Sequence, residues 1–316
     1  MKKVLLSGVK PTGRPHIGNY FGAIKQFVEL QDKYKSYIFI ADLHALTTVQ
    51  NKEELEKNTL GVFLDYLAIG LDPKETVIFK QSDVSQVTEL AWIFNCLTTM
   101  PYLMRAHAYK DAEAKNKEIN VGVFNYPLLM AADILIQDAD VVPIGQDQKQ
   151  HVEIARDIVE KFNRIFKTET FKLPEPLILD NVASVPGTDG QKMSKSYGNT
   201  IGLFATDDEI EKAVMGIVTD SGTEIPENVY KMHLLVRDGE SLDQLYREHK
   251  GEYQKLKELL IEDLKKFIKP MRERREALEQ DKDNALKALK EGGKIARERA
   301  EKKMEEVRKT VGLKLY

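Results

Sequence analysis

The chain has 316 residues, of which 42% are hydrophobic and 31% charged, and its formal net charge is -3. This length supports a full hydrophobic core and predicts two domains, while the charge lacks the basic excess that is typical of nucleic-acid-binding proteins. The single cysteine, Cys96, excludes an internal disulfide framework and a metal site built from cysteines alone. No apolar run approaches the roughly 20 residues that span a bilayer, and the N-terminal apolar stretch is too short for a signal peptide. We therefore expect a cytoplasmic protein that does not enter a membrane.

Short β-branched or aromatic runs alternate with helical patterns through the first half of the chain. The predicted strands are Val4–Val9, Tyr37–Asp42, Thr76–Lys80 and Ala139–Ile144. The predicted helices are Tyr20–Tyr34, Lys52–Ile69, Val84–Met100 and Gln148–Phe166. This alternation predicts right-handed βαβ units and a parallel sheet, in which ligands bind beyond the carboxyl ends of the strands. Within the third helix, Trp92 and Cys96 lie one turn apart and are predicted to pack in the core.

After about Phe204 the strand patterns fade and the sequence becomes helical. The predicted helices are Asp207–Thr219, Val229–Val236, Ser241–Glu248 and Tyr253–Ile268. Pro270 is predicted to break the chain there, because proline removes a helical hydrogen bond. The charged tail Arg272–Val311, interrupted only at Gly292-Gly293, has one apolar face and is predicted to be helical and docked on another element.

The loop after the first predicted strand belongs to the stretch GVKPTGRPHIGNYFGA, residues 8–23. In a strand–loop–helix unit, backbone N–H groups and the positive end of the helix dipole converge on the loop, which suits a phosphate ligand. Gly18 allows close backbone approach to such a ligand, and His16 and Asn19 add side-chain donors. The stretch contains neither a P-loop nor a G-x-G-x-x-G pattern. A turn rich in glycine and proline can also be purely structural. This stretch alone therefore leaves open both a phosphate-binding loop and a structural turn.

A second unusual segment is GTDGQKMSKSYGN, residues 187–199. Lys192 and Lys195 are separated by Met193 and Ser194 behind a glycine-rich approach, which predicts a flexible, cationic, hydroxyl-bearing loop. A mobile lysine pair can follow a triphosphate as its charge redistributes. The alternative is a surface loop with two solvated lysines.

Together the two segments resemble the paired signatures of class I aminoacyl-tRNA synthetases. The block P-T-G-x-x-H-I-G-N, residues 11–19, is similar to the HIGH signature in the variant that is typical of tryptophanyl-tRNA synthetases, and residues 192–196 form the full KMSKS motif. Residues 40–48 and 126–163 are also similar to bacterial tryptophanyl-tRNA synthetases. The resemblance implies an α/β fold in three parts: a Rossmann-like parallel-sheet catalytic domain (1–205), an all-helical anticodon-binding domain (206–284), and a C-terminal helix (285–316) that packs back on the catalytic domain.

The implied activity is a two-step ligase reaction in protein biosynthesis. ATP activates L-tryptophan as tryptophanyl-adenylate with release of pyrophosphate, and the amino acid is then transferred to tRNA(Trp). No general base is needed in the first step, since the attacking carboxylate is already ionised. The resemblance implies catalytic roles for His16, Asn19, Lys192 and Lys195. The implied ATP-binding residues are Lys10, Pro11, Thr12, His16, Gly18, Asn19, Gly145, Gln146, Asp147, Lys192, Met193, Ser194, Lys195 and Ser196.

Selection of tryptophan requires a flat apolar slot with one fixed acceptor for the indole N–H. The resemblance assigns that acceptor to Asp133, which in the sequence MAADIL would otherwise be a costly buried charge. An acceptor of this kind also rejects phenylalanine, which would leave it unpaired. His44 is expected in the pocket, although it could equally be a hydrogen-bonded core histidine. The full set expected to bind tryptophan is Asp133, Met130, Tyr126, His44, Gln148, Val142, Ile144 and Gly8.

Lys10 departs from the family pattern, because many members carry glutamine at this place. Its charge is expected either to contact the tryptophan carboxylate or a phosphate, or to point to solvent. Mg²⁺ is expected on the triphosphate with no protein ligand. The implied assembly is a homodimer that binds tRNA but no DNA. The basic residues considered for tRNA contact are Lys231, Arg237, Arg247 and Lys250.

Three other functions remain open on the sequence. A tyrosyl-tRNA synthetase would share the fold and both motifs, although the block 126–151 resembles the tryptophanyl type. A nucleotidyltransferase that uses no tRNA would share the first loop, but normally lacks the helical third and a full KMSKS motif. The remaining alternative is an inactive relative that binds RNA or regulates another protein.

Overall fold

The computed structural model describes residues 2–106, 109–110, 113, 119–145, 149–178, 185–219 and 225–315. Parallel strands form one sheet with the order β3-β2-β1-β4-β5. The strands are β1 Val4–Val9, β2 Lys35–Ile40, β3 Thr76–Lys80, β4 Val141–Ile144 and β5 Glu175–Ile178. The chain order reverses between β1 and β4, and ligands of open α/β sheets bind at the carboxyl ends of the strands beside such a reversal.

The described helices cover both faces of this sheet and form the C-terminal third. They are α1 Ile17–Asn19, α2 Lys25–Leu30, α3 Asp42–Ala45, α4 Lys52–Ala68, α5 Gln86–Leu97, α6 Met100–Leu103, α7 Val121–Ile136, α8 Lys149–Phe166, α9 Asp207–Met215, α10 Glu227–His233, α11 Gly239–Glu248, α12 Tyr253–Gln280 and α13 Lys282–Thr310. A π-helical segment, Tyr20–Ile24, joins α1 to α2, and 3₁₀ turns occupy Gln81–Asp83 and Lys195–Tyr197. No helix among the described residues is long and apolar enough to cross a bilayer.

Each face of the sheet has its own hydrophobic core. Helices α5, α7 and α8 and the second half of α13 cover the face that carries Leu6 and Val142, while α2, α4 and α12 cover the face that carries Leu5 and Val141. Since successive strand residues point to opposite faces, Gly8 shares the face of Leu6. That face packs against α7, which carries Asp133.

The prediction that Pro270 breaks the chain is wrong, because the residue lies inside α12. An interior proline costs a helix about 3 kcal/mol, but side chains beyond it are anchored to other elements. Arg272 Nη2 donates to Asp207 at 2.7 Å, and Arg275 Nε donates to the buried Asp65 on α4 at 2.6 Å. These tertiary contacts hold the helix through the proline.

Gly292 and Gly293 do not interrupt the tail, since both lie inside α13. A Cβ atom at Gly292 would lie 1.9 Å from the carbonyl oxygen of Ile78, and one at Gly293 would lie 2.7 Å from Asp83 Oδ2. The glycines therefore allow the helix backbone to lie directly against β3. Helix α13 also contacts α5 and α7.

The prediction that Trp92 and Cys96 pack in the core is wrong. Trp92 is 70% exposed and Cys96 is also exposed. Helix α5 instead buries the opposite face, which includes Leu90 and Phe94. The apolar composition of this helix concealed which of its faces is solvated.

Other differences from the predicted elements concern lengths and one strand. The first predicted helix contains the π-helical segment and ends at Leu30 instead of Tyr34. The predicted helix Asp207–Thr219 ends at Met215. Strand β5 was not predicted, because its four residues, EPLI, include glutamate and proline, which are depleted in strands.

Candidate active site

The two signature segments lie against each other at the carboxyl end of β1. The segment before α1 runs antiparallel to residues 201–203, with a bridge between His16 and Gly202. Lys195 Nζ donates to the backbone oxygen of Thr12 at 3.1 Å. The structure thus brings the first loop and the KMSKS segment together on one side of the molecule.

His16 caps the first turn of α1 and is held in one tautomer. Its Nδ1 accepts from the backbone N–H of Asn19 at 3.2 Å, while Asn19 Oδ1 accepts from the backbone N–H of His16 at 3.1 Å. Because Nδ1 is the acceptor, Nε2 carries the proton and is left as a donor. Burial, with the charge of Lys195, lowers the pKa of His16 to about 4. His16 is therefore a neutral hydrogen-bond donor at neutral pH.

Gly18 lies between the side chain of His16 and the KMSKS segment. A Cβ atom there would lie 2.8 Å from His16 Nδ1 and 3.2 Å from Met193 Cβ. Met193 is buried and Pro11 is buried as well, whereas Thr12 is exposed. Glycine at this position therefore lets the KMSKS segment pack on the start of α1.

Asn199 anchors the base of the KMSKS segment. Its Oδ1 accepts from Ser194 N at 2.8 Å, and its Nδ2 donates to the carbonyl oxygen of Lys192 at 3.2 Å. The side chains of Lys192, Lys195 and Ser196 remain exposed, and burial lowers the pKa of Lys195. Asn199 was not among the predicted site residues, although it ends the stretch that singled out the loop.

Asp133 lies on α7 in a buried cluster with side chains from two other segments. Gln81 Nε2 donates to both carboxylate oxygens of Asp133, at 2.9 and 2.8 Å, and His44 Nε2 lies 3.0 Å from Oδ2. Burial raises the pKa of Asp133, and the hydrogen bonds from His44 and Gln81 oppose that effect. Gln81 was not predicted; its position directly after β3, at the ligand-binding edge of the sheet, was the available indication.

Of the other described residues predicted for tryptophan binding, Tyr126 contacts this cluster through His44. The rings of Tyr126 and His44 make an edge contact with centroids 6.1 Å apart, and Tyr126 Oη lies 2.9 Å from His151 Nε2. A Cβ atom at Gly8 would lie 2.8 Å from the ring of Phe39, so glycine leaves room for that ring. Met130, Val142 and Ile144 belong to the hydrophobic core on the sheet face that carries Leu6.

Two cavities occur near these residues, and neither matches an indole bound at Asp133. The carboxylate borders a cavity of about 10 Å³, which is room for about one water molecule. A surface cavity of about 370 Å³ is lined by Tyr126 and the exposed Trp92, but Asp133 does not line it. We regard the surface beside His44 and Tyr126 as the candidate slot, because His44 contacts both Asp133 and the ring of Tyr126.

Lys10 links the first loop to this cluster. Its Nζ donates to Thr47 Oγ1 at 3.2 Å, and Thr47 Oγ1 donates to the carbonyl oxygen of His44 at 2.8 Å. Burial lowers the pKa of Lys10, and it forms no ion pair with any residue that the structure describes. Gly145 is partly buried after β4. Three predicted site residues lie outside the described ranges: Gln146, Asp147 and Gln148.

The family model described as tRNA synthetases class I (W and Y) matches residues 2–288. A tryptophan–tRNA ligase from Fusobacterium nucleatum is 49% identical over 318 residues, covering 98% of this chain and 97% of the relative. The chain belongs to this class I synthetase family. A second tryptophan–tRNA ligase, from Rhodopirellula baltica, is 45% identical to this synthetase and covers 98% of it and 99% of the relative.

Solved structures agree with this assignment. The tryptophanyl-tRNA synthetase of Campylobacter jejuni, complexed with ADP and tryptophan, has a TM-score of 0.91 and 41% identity, and the match covers 98% of this chain and 99% of that one. A tyrosyl-tRNA synthetase from Archaeoglobus fulgidus shares the fold, with a TM-score of 0.65 and 22% identity. The predicted family, the α/β fold class and the assignment of the synthetase as an enzyme are confirmed.

Proposed function

We propose that this synthetase is a tryptophan–tRNA ligase, which activates L-tryptophan with ATP and then charges tRNA(Trp). The observation that carries the proposal is the contact between the first loop and the KMSKS segment, next to a buried aspartate. The named relatives at 45–49% identity favour tryptophan over tyrosine. The first loop and Lys195 provide donors for a triphosphate, and the Asp133 cluster provides one acceptor for an indole.

In the first step, the carboxylate of tryptophan attacks the α-phosphorus of ATP while the bond to the departing pyrophosphate breaks. Nε2–H of His16 and the side chain of Asn19 donate to phosphate oxygens. Lys192, Lys195 and Ser196 hold the β- and γ-phosphates, and their positive charge stabilises the leaving pyrophosphate. The remaining residues proposed to contact ATP are Lys10, Pro11, Thr12, Gly18, Met193 and Ser194, with Gly145 and, outside the described ranges, Gln146 and Asp147 at the ribose.

Tryptophan specificity rests on the buried carboxylate. Asp133 accepts the indole N–H, and the walls of the slot are Gly8, Tyr126, Met130, Val142, Ile144 and, outside the described ranges, Gln148. Phenylalanine would leave one acceptor position of the carboxylate unpaired, which costs a site of this kind a large factor in kcat/KM. His44 bonds to the carboxylate and acts through it.

We propose that Mg²⁺ binds together with ATP, on its triphosphate. The described part of the chain contains no group of three or more His, Cys, Asp or Glu side chains that could hold a metal ion. We assign the ion to triphosphate oxygens and water, which Mg²⁺ commonly keeps as ligands in nucleotide sites. It would offset phosphate charge in the same way as the two lysines.

For the second step, we propose that the helical region 206–284 binds the anticodon part of tRNA. Lys231 and Arg237 already pair with Glu227 and Asp263, at 2.6 Å each. Arg247 is exposed and forms no ion pair with a described residue. Of the basic side chains considered, Arg247 is therefore the most available for a phosphate contact.

We also propose a homodimer whose interface includes the exposed apolar side chains beside the 370 Å³ cavity. Leu46, Trp92 and Val121 are 47%, 70% and 73% exposed, and exposed apolar patches commonly mark protein interfaces. Sedimentation velocity of Trp92→Glu should show a monomer. Leu313→Glu, at another exposed position, is the control that should stay dimeric, and a dimeric Trp92→Glu would refute this interface.

ATP–pyrophosphate exchange with each of the twenty amino acids, followed by aminoacylation of total tRNA, tests the function. Exchange driven by tryptophan alone, with tryptophan found on tRNA, is the expected result. We also propose a cytoplasmic location, since a chain with a single cysteine fits a reducing compartment. Exchange driven by tyrosine would reassign the amino acid. Adenylate formation without tRNA charging would favour a nucleotidyltransferase, and no exchange would favour an inactive relative.

A further inference from the structure

Gln81 uses both ends of its amide inside the buried cluster around Asp133. It is 1% exposed, directly after the carboxyl end of β3. Its Nε2 donates to both oxygens of Asp133, and its Oε1 accepts from the backbone N–H of His44 at 3.2 Å. The amide orientation is thus fixed from both sides, since a flipped amide would place an oxygen against the carboxylate.

The hydrogen bonds from Gln81 and His44 occupy most of the acceptor positions of the Asp133 carboxylate. An ionised carboxylate offers about four lone-pair sites. Gln81 takes one on each oxygen, and Nε2–H of His44 takes the second site on Oδ2. The remaining site is on Oδ1. A ligand with one N–H donor matches a site with one open acceptor position.

We propose that Gln81 is a positioning residue that holds the Asp133 carboxylate so that Oδ1 accepts the single ring N–H of the substrate. The inference rests on the proposed role of Asp133 as the indole acceptor and extends it to a residue that does not itself touch the indole. Gln81 therefore sets selectivity for a flat apolar ring that carries one donor.

The segment around Gln81 is braced, as a positioning role requires. The next residue, Ser82, donates through its backbone N–H and its hydroxyl to the two carboxylate oxygens of Asp42 at the start of α3. Because α3 also carries His44, both donors to Asp133 stand on segments that are bonded to each other. The carboxylate is thereby held without any contribution from the substrate.

The amide is also the right chemical group for this task. A lysine at this position would neutralise Asp133 and compete with the ring N–H. A glutamate would bring a second negative charge against the carboxylate. A neutral donor fixes the orientation of Asp133 and leaves its charge available to the ligand.

The test is pyrophosphate exchange by the full chain with two substrates, L-tryptophan and the analogue whose ring N–H is replaced by sulfur. In Gln81→Met, which keeps the side-chain length and removes the donor, kcat/KM for tryptophan should fall about 10- to 100-fold, the range expected for hydrogen bonds to a charged group. The analogue should change by less than about threefold, and the KM for ATP should not change.

Gln137→Met is the matched control. Gln137 is also 1% exposed and borders the same small cavity, but its Nε2 donates to the carbonyl oxygen of Ala296 at 3.1 Å instead of Asp133. This variant should lose thermal stability without changing the ratio between the two substrates. Equal losses for both substrates in Gln81→Met would mean a purely structural role and would overturn the inference.

Asp133→Asn in the same assay separates this inference from the proposed function. If that variant keeps the full preference for tryptophan over the sulfur analogue, the role proposed for Asp133 is wrong. If it loses the preference while Gln81→Met keeps it, only the positioning role is wrong. Gln81→Leu is measured in the same way should Gln81→Met fail to fold.

Discussion

The Asp133 cluster and the two loops proposed to bind phosphate differ in how many of their polar groups are bonded before a substrate arrives. Asp133, Gln81 and His44 are buried and bonded to one another. Lys192 and Lys195 are exposed, and Lys195 Nζ bonds only to the backbone oxygen of Thr12, at 3.1 Å, among the described residues. The proposed amino-acid site is therefore preorganised, whereas the proposed phosphate site would be completed by the nucleotide.

Desolvation accounts for this difference. A carboxylate buried without hydrogen bonds costs far more than one in water, so a specificity group inside an apolar slot has to be bonded in the free protein. Exposed ammonium groups keep their water until a triphosphate replaces it. A loop that has to follow moving phosphate charge gains nothing from being fixed in advance.

Removal of the charged loop should have the largest effect. In Lys195→Ala, kcat for pyrophosphate exchange should fall about 10²- to 10³-fold, as for other donors that stabilise developing charge. The KM for tryptophan should stay the same, because that site is already formed. Lys3→Ala, at the amino end of β1, is the control, and an unchanged kcat in Lys195→Ala would remove this lysine from the chemistry.

A change in the preorganised site should affect how well tryptophan is used and leave ATP binding unchanged. In Asp133→Asn, kcat/KM for tryptophan should fall about 10- to 100-fold, as expected for a lost hydrogen bond to a charged group, while the KM for ATP stays constant. Steady-state exchange kinetics at varied tryptophan and ATP give both values. A change in the KM for ATP alone would place Asp133 outside the tryptophan site.

Lowering the pH should weaken the use of tryptophan through the Asp133 carboxyl. Burial raises the pKa of Asp133, with His44 and Asp42 as the titratable groups facing it, so this carboxyl gains a proton at a higher pH than an ordinary aspartate. The KM for tryptophan should then rise as the pH falls, and the KM for the sulfur analogue should not. With a pKa of about 4, His16 stays neutral above about pH 5 and contributes nothing there. A KM for tryptophan that stays flat down to the range in which ordinary aspartates gain a proton, about pH 4, would contradict this.

The smallest effect is expected at Lys10, which lies between the two sites. Lys10→Gln restores the residue that is common in the family and keeps a donor for Thr47, so exchange activity should stay within about tenfold of the parent. A complete loss would show that the ammonium itself pairs with a substrate anion. Measuring the KM for tryptophan and for ATP in the same variant tells which substrate that is.

The part of the proposed site that the sequence indicates stands in short contiguous motifs. His16, Asn19, Lys192 and Lys195 could be found because each loop carries its polar residues side by side. For Gln81 the only local indication was its position directly after β3, since its partner Asp133 is 52 residues away and the packing of α7 against the sheet brings them together. Asn199 was missed because its bonds turn back into its own loop.

The fold shows the same division between local and distant causes. Strands β1 to β4 have apolar patterns that any parallel sheet requires, so they could be predicted. Pro270 and Gly292 follow local rules that tertiary contacts override: ion pairs hold α12 through the proline, and β3 lies where a side chain at Gly292 would be. Trp92 was misplaced because exposure depends on which face of α5 packs inward.

Calorimetric titration of L-tryptophan without ATP tests the preorganised site most directly. Tryptophan should bind the free protein and the Lys195→Ala variant with the same Kd, and tyrosine and phenylalanine should bind at least tenfold more weakly. Tryptophan binding that requires ATP or Lys195, or that tyrosine matches, would contradict the account.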